Sequence, residues 1–390
     1  MAINAEKRAL WHRGLLARRG RAHGRGAKRR RTPIWCARKG GPLHGASGEN
    51  IRCALASCGA LVLALVGILV GSASAHACAA PPQPIIDLDL GRYYADAAGT
   101  RVDQARLAAH RAATADLKAY IRGVTRSADA AWQARTASAR ADAARCGIVW
   151  LTAWAEAGAY LGRMVSKQAE YQRKWDLAGA ALAYLKLRHA TSSRDHATIG
   201  AWLSAIADNA ERFQLAPGRK SNNHLYWLAL GSAATAIATD DAQRWRRARG
   251  WMQQAARAID NDGTLPLEMA RGSRALYYHA FAMMPLIVLA ELAHARGEDW
   301  YAFGDGALHR LVAVTTAGLV EPAVFDQAAG QRQERPINAR AGWATLYARR
   351  FPRRGIPPSL TRKRRHRLLG GDVRVLLAAL RPGGRNDDAR

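Results

Sequence analysis

Two short polar segments stand out in a chain that is otherwise apolar or charged. Residues 220–227 read Lys-Ser-Asn-Asn-His-Leu-Tyr-Trp, so Asn222, Asn223 and His224 open a run that continues apolar. Amide and imidazole groups in such a place are costly unless they bond something. Helix capping explains one asparagine well, because Asn is a preferred cap residue. It explains two poorly and His224 not at all. The second segment follows the turn Asn261-Asp262-Gly263 and runs from Leu265 to His279. On a helix its Arg271, Arg274 and Tyr278 are three and four apart and share a face. Arginine beside tyrosine on such a face is often only a solvated surface. It also suits chemistry on an acidic sugar, since a guanidinium grips a carboxylate bidentately and a phenol near cations loses its proton more readily. No residues show metal-ligand spacing, and this chemistry needs neither metal nor cofactor.

A scaffold of helices is expected to position these groups. After Pro84 the next proline is Pro217, a proline-free stretch of 132 residues rich in Ala, Leu, Arg and Gln, which cost little in a helix. Apolar residues recur at helical spacing: Trp150, Trp154, Ala157 and Leu161, then Trp175, Ala178, Leu182 and Leu185. Five further stretches continue the series: Trp202 to Phe213, Leu225 to Ala238, Trp245 to Ile259, Ala275 to Ala295 and Ala307 to Gly318. Only the strap Ile85–Leu90 and the tail Gly371–Leu380 alternate like strands. The pattern predicts an all-α domain larger than a four-helix bundle, either a solenoid or a toroid. No fixed-period repeat supports a solenoid. The expected fold is therefore an incomplete α/α toroid of antiparallel helix pairs, with a central cleft able to take a long polymer.

Taken together, the two segments resemble the bacterial periplasmic alginate lyases, the polysaccharide lyases that cleave poly-β-D-mannuronate. That family opens one helix with Asn-Asn-His-x-Tyr-Trp and carries a later Leu-Pro-x-Glu-Leu-x-Arg-x-x-Arg-Ala-Leu-x-Tyr-His. His224 precedes Arg271 by 47 residues and Tyr278 by 54, the family's spacing. Cys146 with Trp150 and Trp154, Lys174-Trp175, Ala183-Tyr184-Leu185 and Leu369-Gly370-Gly371-Asp372 extend the resemblance over roughly residues 78–375. It implies a β-eliminating lyase in which Asn223, His224 and Arg271 surround a uronate carboxylate and Tyr278 moves the protons. Asn222, Trp227 and Arg274 would contact substrate. The chain departs from the family at Ala280-Phe281, where Asn-Tyr is usual. It departs again at Arg92-Tyr93-Tyr94-Ala95-Asp96 to Arg101, which lacks the family's lid-loop lysine. These departures leave open which uronic acid is preferred, mannuronate or glucuronate. A non-catalytic polyuronate-binding component of an export assembly is the alternative, and the presence of Tyr278 speaks against it.

The remaining expectations come from composition. Of 390 residues, 59 are Lys or Arg and 30 are Asp or Glu, a net +29. Residues 1–77 hold +12 of this and residues 340–390 hold +11, leaving the middle mildly basic. The 49% hydrophobic content excludes bulk disorder for that middle. Ala54–Val70 is the one long apolar segment, with Arg52 before it and Ala75-His76-Ala77 after it. That is the pattern of a secretory signal over 52–77, cleaved after Ala77, rather than an uncleaved anchor. The Arg/Gly-rich extension 1–51 reads better as a start-site artefact than as a nucleic-acid-binding arm, and 376–390 forms a basic C-terminal tail. Export would place the mature chain in the periplasm, with Cys78 and Cys146 as its two cysteines. These are expected to pair, two free thiols being the alternative. The expected partner is an anionic polysaccharide rather than nucleic acid, with membrane contact only through the signal segment and a monomeric state.

Overall fold

The computed structural model describes residues 78–97, 99–334 and 342–380. The extension 1–51, the signal segment 52–77 and the tail beyond Leu380 lie outside the described residues. The first seven helices are α1 (Gln104–Ala113), α2 (Ala115–Gln133), α3 (Ala137–Glu156), α4 (Lys167–Leu187), α5 (Ser193–Leu215), α6 (Asn223–Ala238) and α7 (Ala242–Arg257). After a single turn of helix, α8 (Pro266–Met269), come α9 (Ala275–Ala295), α10 (Phe303–Val320), α11 (Ala323–Ala329), α12 (Gly342–Arg350), α13 (Pro358–Thr361) and α14 (Val373–Ala379). Most long helices start on a side chain that can cap. Asp103, Thr136, Ser166, Ser192 and Asp241 each accept a backbone N–H from the first turn that follows, satisfying donors the helix itself leaves unpaired.

Burial sorts the helices into two layers. Helices α4, α6 and α9 are buried on nearly every face, as expected of helices with no solvent side. Helix α9 is apolar and long enough to cross a membrane, yet it is wrapped by protein. It packs on α6, which packs on α4. Helices α5 and α7 keep a polar outer face and cover α6 from outside. This is the α/α toroid, with an inner ring that carries the polar segments and an outer ring that shields it.

The two strand-like stretches behave differently. Ile85–Leu90 runs as an extended strap along residues 160–165: Tyr160 N–H donates to the Ile85 carbonyl at 2.9 Å, Leu88 N–H to the Arg163 carbonyl at 2.9 Å and Val165 N–H to the Leu88 carbonyl at 3.0 Å. The strap's start is fastened to α3. A disulfide joins Cys78 to Cys146, and the indoles of Trp150 and Trp154 donate to the carbonyls of Ala79 and Pro82 at 2.6 and 2.9 Å. Cross-linking a loop of 68 residues removes unfolded-state entropy worth about 4 kcal/mol in the chain-entropy picture. The tail is not a strand. Only Gly371–Asp372 (β2) pairs, antiparallel to Arg365–His366 (β1), and the chain then turns into α14. Asp372 caps α14 through Arg374 N–H, so the apolar alternation beyond it reports a helix face.

The Gly370-Gly371 turn closes a buried polar seam. Lys186 Nζ donates to Asp129 Oδ1 at 2.7 Å, to the Gly370 carbonyl at 2.6 Å and to the Asp372 carbonyl at 3.1 Å. Asp129 Oδ2 accepts the Asp372 N–H at 2.9 Å. Both glycines have positive φ, and a Cβ at either would lie 2.6 Å from Leu182 Cβ or Asp129 Oδ2. Glycine is therefore required here both by conformation and by space.

Candidate active site

The site is assembled from three places: the first turn of α6, the irregular segment before α9, and a hairpin beyond the strap. Asn222 is the extended cap of α6 and accepts the His224 N–H at 3.1 Å. Its Oδ1 thus caps the helix. Asn223 is fully buried. Its backbone N–H and its Nδ2 both donate to Glu268 Oε1 at 2.8 Å. Its Oδ1 is buried without a hydrogen-bond partner. Glu268 sits on α8, and burial raises its pKa while the two Asn223 bonds pull it back down.

His224 is held by stacking. Its ring lies 3.6 Å from the centroid of Tyr171 at 18°, with Trp175, one turn further along α4, at 6.0 Å. Burial first, then the charges of Lys174, Arg271 and Arg219, push its pKa well below the ordinary histidine value. The imidazole is therefore neutral, and its Nδ1 is buried and unpartnered. Lys174 is itself fully buried, with Nζ donating to Gln214 Oε1 at 2.6 Å, and burial pushes its own pKa well below the usual lysine value.

The second segment is not one helix. Gly272 takes φ 56°, and a short 3₁₀ turn, Gly272–Arg274, separates Arg271 from α9. The common face survives in another form. The Arg271 guanidinium lies 4.4 Å over the Tyr278 ring, and that of Arg274 lies 4.2 Å over Tyr277 and 5.3 Å over Tyr278. Arg271 Nε is 3.8 Å from Glu268 Oε2, so Glu268 links Asn223 to Arg271. The start of α9 has no side-chain cap of its own. Gln331 and Gln333 supply acceptors for Ser273 N–H at 2.9 Å and Leu276 N–H at 3.0 Å.

The hairpin brings the residue that sequence reasoning passed over. Tyr94 pairs across to Val102, and Asp96 accepts the Thr100 and Arg101 N–H groups at the tip. The Tyr94 hydroxyl is hydrogen-bonded to the Tyr278 hydroxyl and accepts from Arg274 Nη1 at 2.7 Å. A Cβ on Gly99 would lie 2.5 Å from Arg271 Nη1, so the tip of the hairpin rests on that arginine. Tyr94 was visible only as part of Tyr93-Tyr94 in a stretch noted for its missing lysine.

Two expectations need correction. Trp227 does not line the site: it is fully buried, with its ring 5.1 Å from Phe281, because α6 is apolar all round and an indole fills its interior. Tyr278 does not have a lowered pKa. Burial, with Tyr94 and Tyr93 adding to it, holds it well above the usual phenol value, against the opposing pull of Arg271 and Arg274. His279 is excluded as a substitute base, since Nε2 accepts the Leu265 N–H at 2.9 Å and Nδ1 bonds the Ala275 carbonyl at 2.8 Å. Among the described residues no three His, Cys, Asp or Glu side chains stand together as a metal site.

Such a constellation offers cations, an unpaired amide oxygen and an unpaired imidazole nitrogen around two phenols in contact. It can bind a carboxylate and pass a proton. The alginate lyase family model matches residues 90–325. A polysaccharide lyase from Stenotrophomonas maltophilia is 41% identical over 300 residues, covering 76% of this chain and 89% of that protein. An alginate lyase from Azotobacter vinelandii is 30% identical over 319 residues, 77% of this chain and 83% of that one. Among solved structures, alginate lyase A1-III from Sphingomonas species A1 superposes with a TM-score of 0.63 at 23% identity, covering 77% and 86% of the two chains. A variant of it complexed with a tetrasaccharide gives a TM-score of 0.65. The fold of those structures, the extent of the family match and the closeness of the relatives agree: the chain belongs to the alginate lyase family and is a polysaccharide lyase.

Proposed function

We propose that the substrate is an acidic exopolysaccharide containing mannuronate or glucuronate, cleaved by β-elimination in the periplasm. The observation that carries the reading is the Arg271 guanidinium lying on Tyr278, with Arg271 also acting on the nearby His224 ring and with Asn223 Oδ1 and His224 Nδ1 among the buried atoms that have no protein partner. Buried polar atoms left unpaired in a folded protein cost free energy, and a uronate with its carboxyl and hydroxyl groups would satisfy them. Arg271 would neutralise the carboxylate as C5 loses its proton and negative charge spreads onto it, a stabilisation that grows toward the transition state. The second N–H of Asn223 and the neutral ring of His224 complete the polar surround.

Tyr278 takes H5 as phenolate. The electrons form the C4–C5 double bond, the C4–O4 bond breaks, and the Tyr278 hydroxyl then protonates O4. The phenolate is regenerated and no other reactant is consumed. In mannuronate H5 and O4 lie on the same side of the ring, so one residue serves both steps. Burial opposes the phenolate. The charges of Arg271 and Arg274 pull the other way, and Arg274 also donates to the Tyr94 oxygen that is hydrogen-bonded to Tyr278. The signal-like segment and the disulfide support an exported protein.

The test is to incubate the protein with polymannuronate, polyguluronate and polyglucuronate and follow the ultraviolet absorbance of the 4,5-unsaturated product. A rise on a mannuronate or glucuronate polymer is expected. No rise on any of the three would overturn the substrate reading.

A further inference from the structure

A basic stripe runs along α2 and beneath the β1–β2 turn, away from the residues just described. Lys118, Arg122 and Arg126 recur every four residues, steps of about 6 Å along one helix face, comparable with the length of a pyranose ring. Arg122 and Arg126 are exposed, and Arg126 Nε bonds the Arg122 carbonyl at 3.3 Å. Arg365 reaches over the far end of α2, with Nη2 donating to Gln133 Oε1 at 3.0 Å. Arg111 is exposed at the near end, whereas Arg367 beneath the stripe is largely buried and faces Asp176. Arg365 Nε also lies 3.8 Å from Asp129 and 3.9 Å from Asp372. Burial first, then the charges of Arg367, Arg122 and Arg111, lower the Lys118 pKa, with Asp176 opposing them. The one carboxylate in the first turn of α2, Asp116, is two residues from Lys118 and so points to another side of the helix.

The stripe is connected to the catalytic tyrosines by neighbours in contact. Tyr278 touches Tyr94, Tyr94 packs on Tyr93 at 4.6 Å, and Tyr93 packs on His110 at 4.9 Å. His110 in turn feels the charge of Lys118. His110 Nδ1 is buried and has no partner.

We propose that this stripe is a second binding site for the polymer, a track on which uronates several sugars removed from the cleaved bond lie along α2. A polyuronate repeats its carboxylate at every ring, and a row of cations along one helix face matches such a ligand better than any single anion. The track rests on the polyuronate reading above and extends it: it makes affinity depend on chain length and on salt, while the cleavage step is unchanged.

The double variant Arg122→Glu with Arg126→Glu tests the track, because both side chains are exposed and neither is in the catalytic machinery. Lys118→Gln serves as a second variant. For the double variant, KM on long polymer should rise roughly tenfold, the scale of two reversed surface charges, while kcat is unchanged. KM on a trisaccharide should stay as in the wild type, and the salt dependence of KM on polymer should flatten. Equal KM values for variant and wild type on long polymer would overturn the track. So would reversals that weaken binding to anionic phospholipid vesicles or DNA and leave polymer kinetics untouched. A wild-type protein inactive on every uronate polymer would instead defeat the substrate reading, so the two failures are distinguishable.

Discussion

The first turn of α6 and the second turn of α9 each bring a neutral imidazole into the interior, and they use it in opposite ways. His279 is fully buried and saturated, one nitrogen accepting from Leu265 and the other bonding Ala275. His224 is partly exposed, stacked on Tyr171 by its face, with Nδ1 unpartnered. Burial lowers the pKa of both. A shifted pKa therefore does not separate scaffold from chemistry. What separates them is whether the hydrogen-bonding capacity is spent inside the protein or left for something that binds.

The sharpest separation should come from Tyr278→Phe, which removes a hydroxyl bonded to Tyr94 and keeps the ring under Arg271. Turnover should fall by about 10²–10⁴-fold, the span for losing general acid–base catalysis, with the melting temperature nearly unchanged. Steady-state kinetics beside a thermal melt checks both. Near-normal turnover would transfer the proton role to Tyr94.

His279→Ala should do the reverse. It leaves the Leu265 N–H buried without an acceptor and opens a cavity, a loss of about 2–4 kcal/mol. Denaturant melts should show that loss while the folded fraction keeps its kcat. His224→Ala, by contrast, should lower kcat/KM by roughly a hundredfold and cost under about 1.5 kcal/mol, the worth of its aromatic stacking. If His224→Ala proved the more destabilising of the two, the distinction drawn from their hydrogen bonds would fail.

Acid should probe the saturated histidine directly. The folded-state pKa of His279 is pushed down from an ordinary 6.5 to about 4 by burial. A folded value below the unfolded one means full stabilisation above pH 6.5, lost progressively as pH falls from there to about 4. The loss amounts to about 3 kcal/mol over that window, and it should be absent in His279→Ala when melts are compared across pH. The smallest effect should be that of Asn222→Ala, which removes only the cap on α6: about 1 kcal/mol, with KM unchanged. A several-fold rise in KM would place Asn222 on the substrate surface.

Much of this was legible in the sequence because it is local. The apolar stripes at Trp150/Trp154 and Trp175/Leu182 report helices whatever surrounds them, and Asn223, His224, Arg271 and Tyr278 sit within two short motifs. Tyr94 was not legible, since its meaning arises from a contact with Tyr278 across 184 residues. Glu268 was in plain view within the second motif, but its partner Asn223 is 45 residues away. Trp227 is a different case: the family motif sets it among the site residues, and only the all-round burial of α6 shows that it fills the interior. The direction of the Tyr278 pKa was missed in the same way. Neighbouring arginines can be counted in a sequence, whereas desolvation cannot.

The seam at Lys186 also has a consequence in time. Lys186 and Asp129 stay incompletely paired until Gly370 and Asp372 reach them, and the Asp129–Asp372 bond joins residues 243 apart. Contacts so distant along the chain form late, because loop closure must precede them. Until the Gly370–Asp372 turn docks, the helices up to α9 hold a buried lysine without its carbonyl acceptors, so the inner ring is locked late in folding. A polypeptide released short of Gly370 should therefore remain an open, protease-sensitive collection of helices, however complete its catalytic residues.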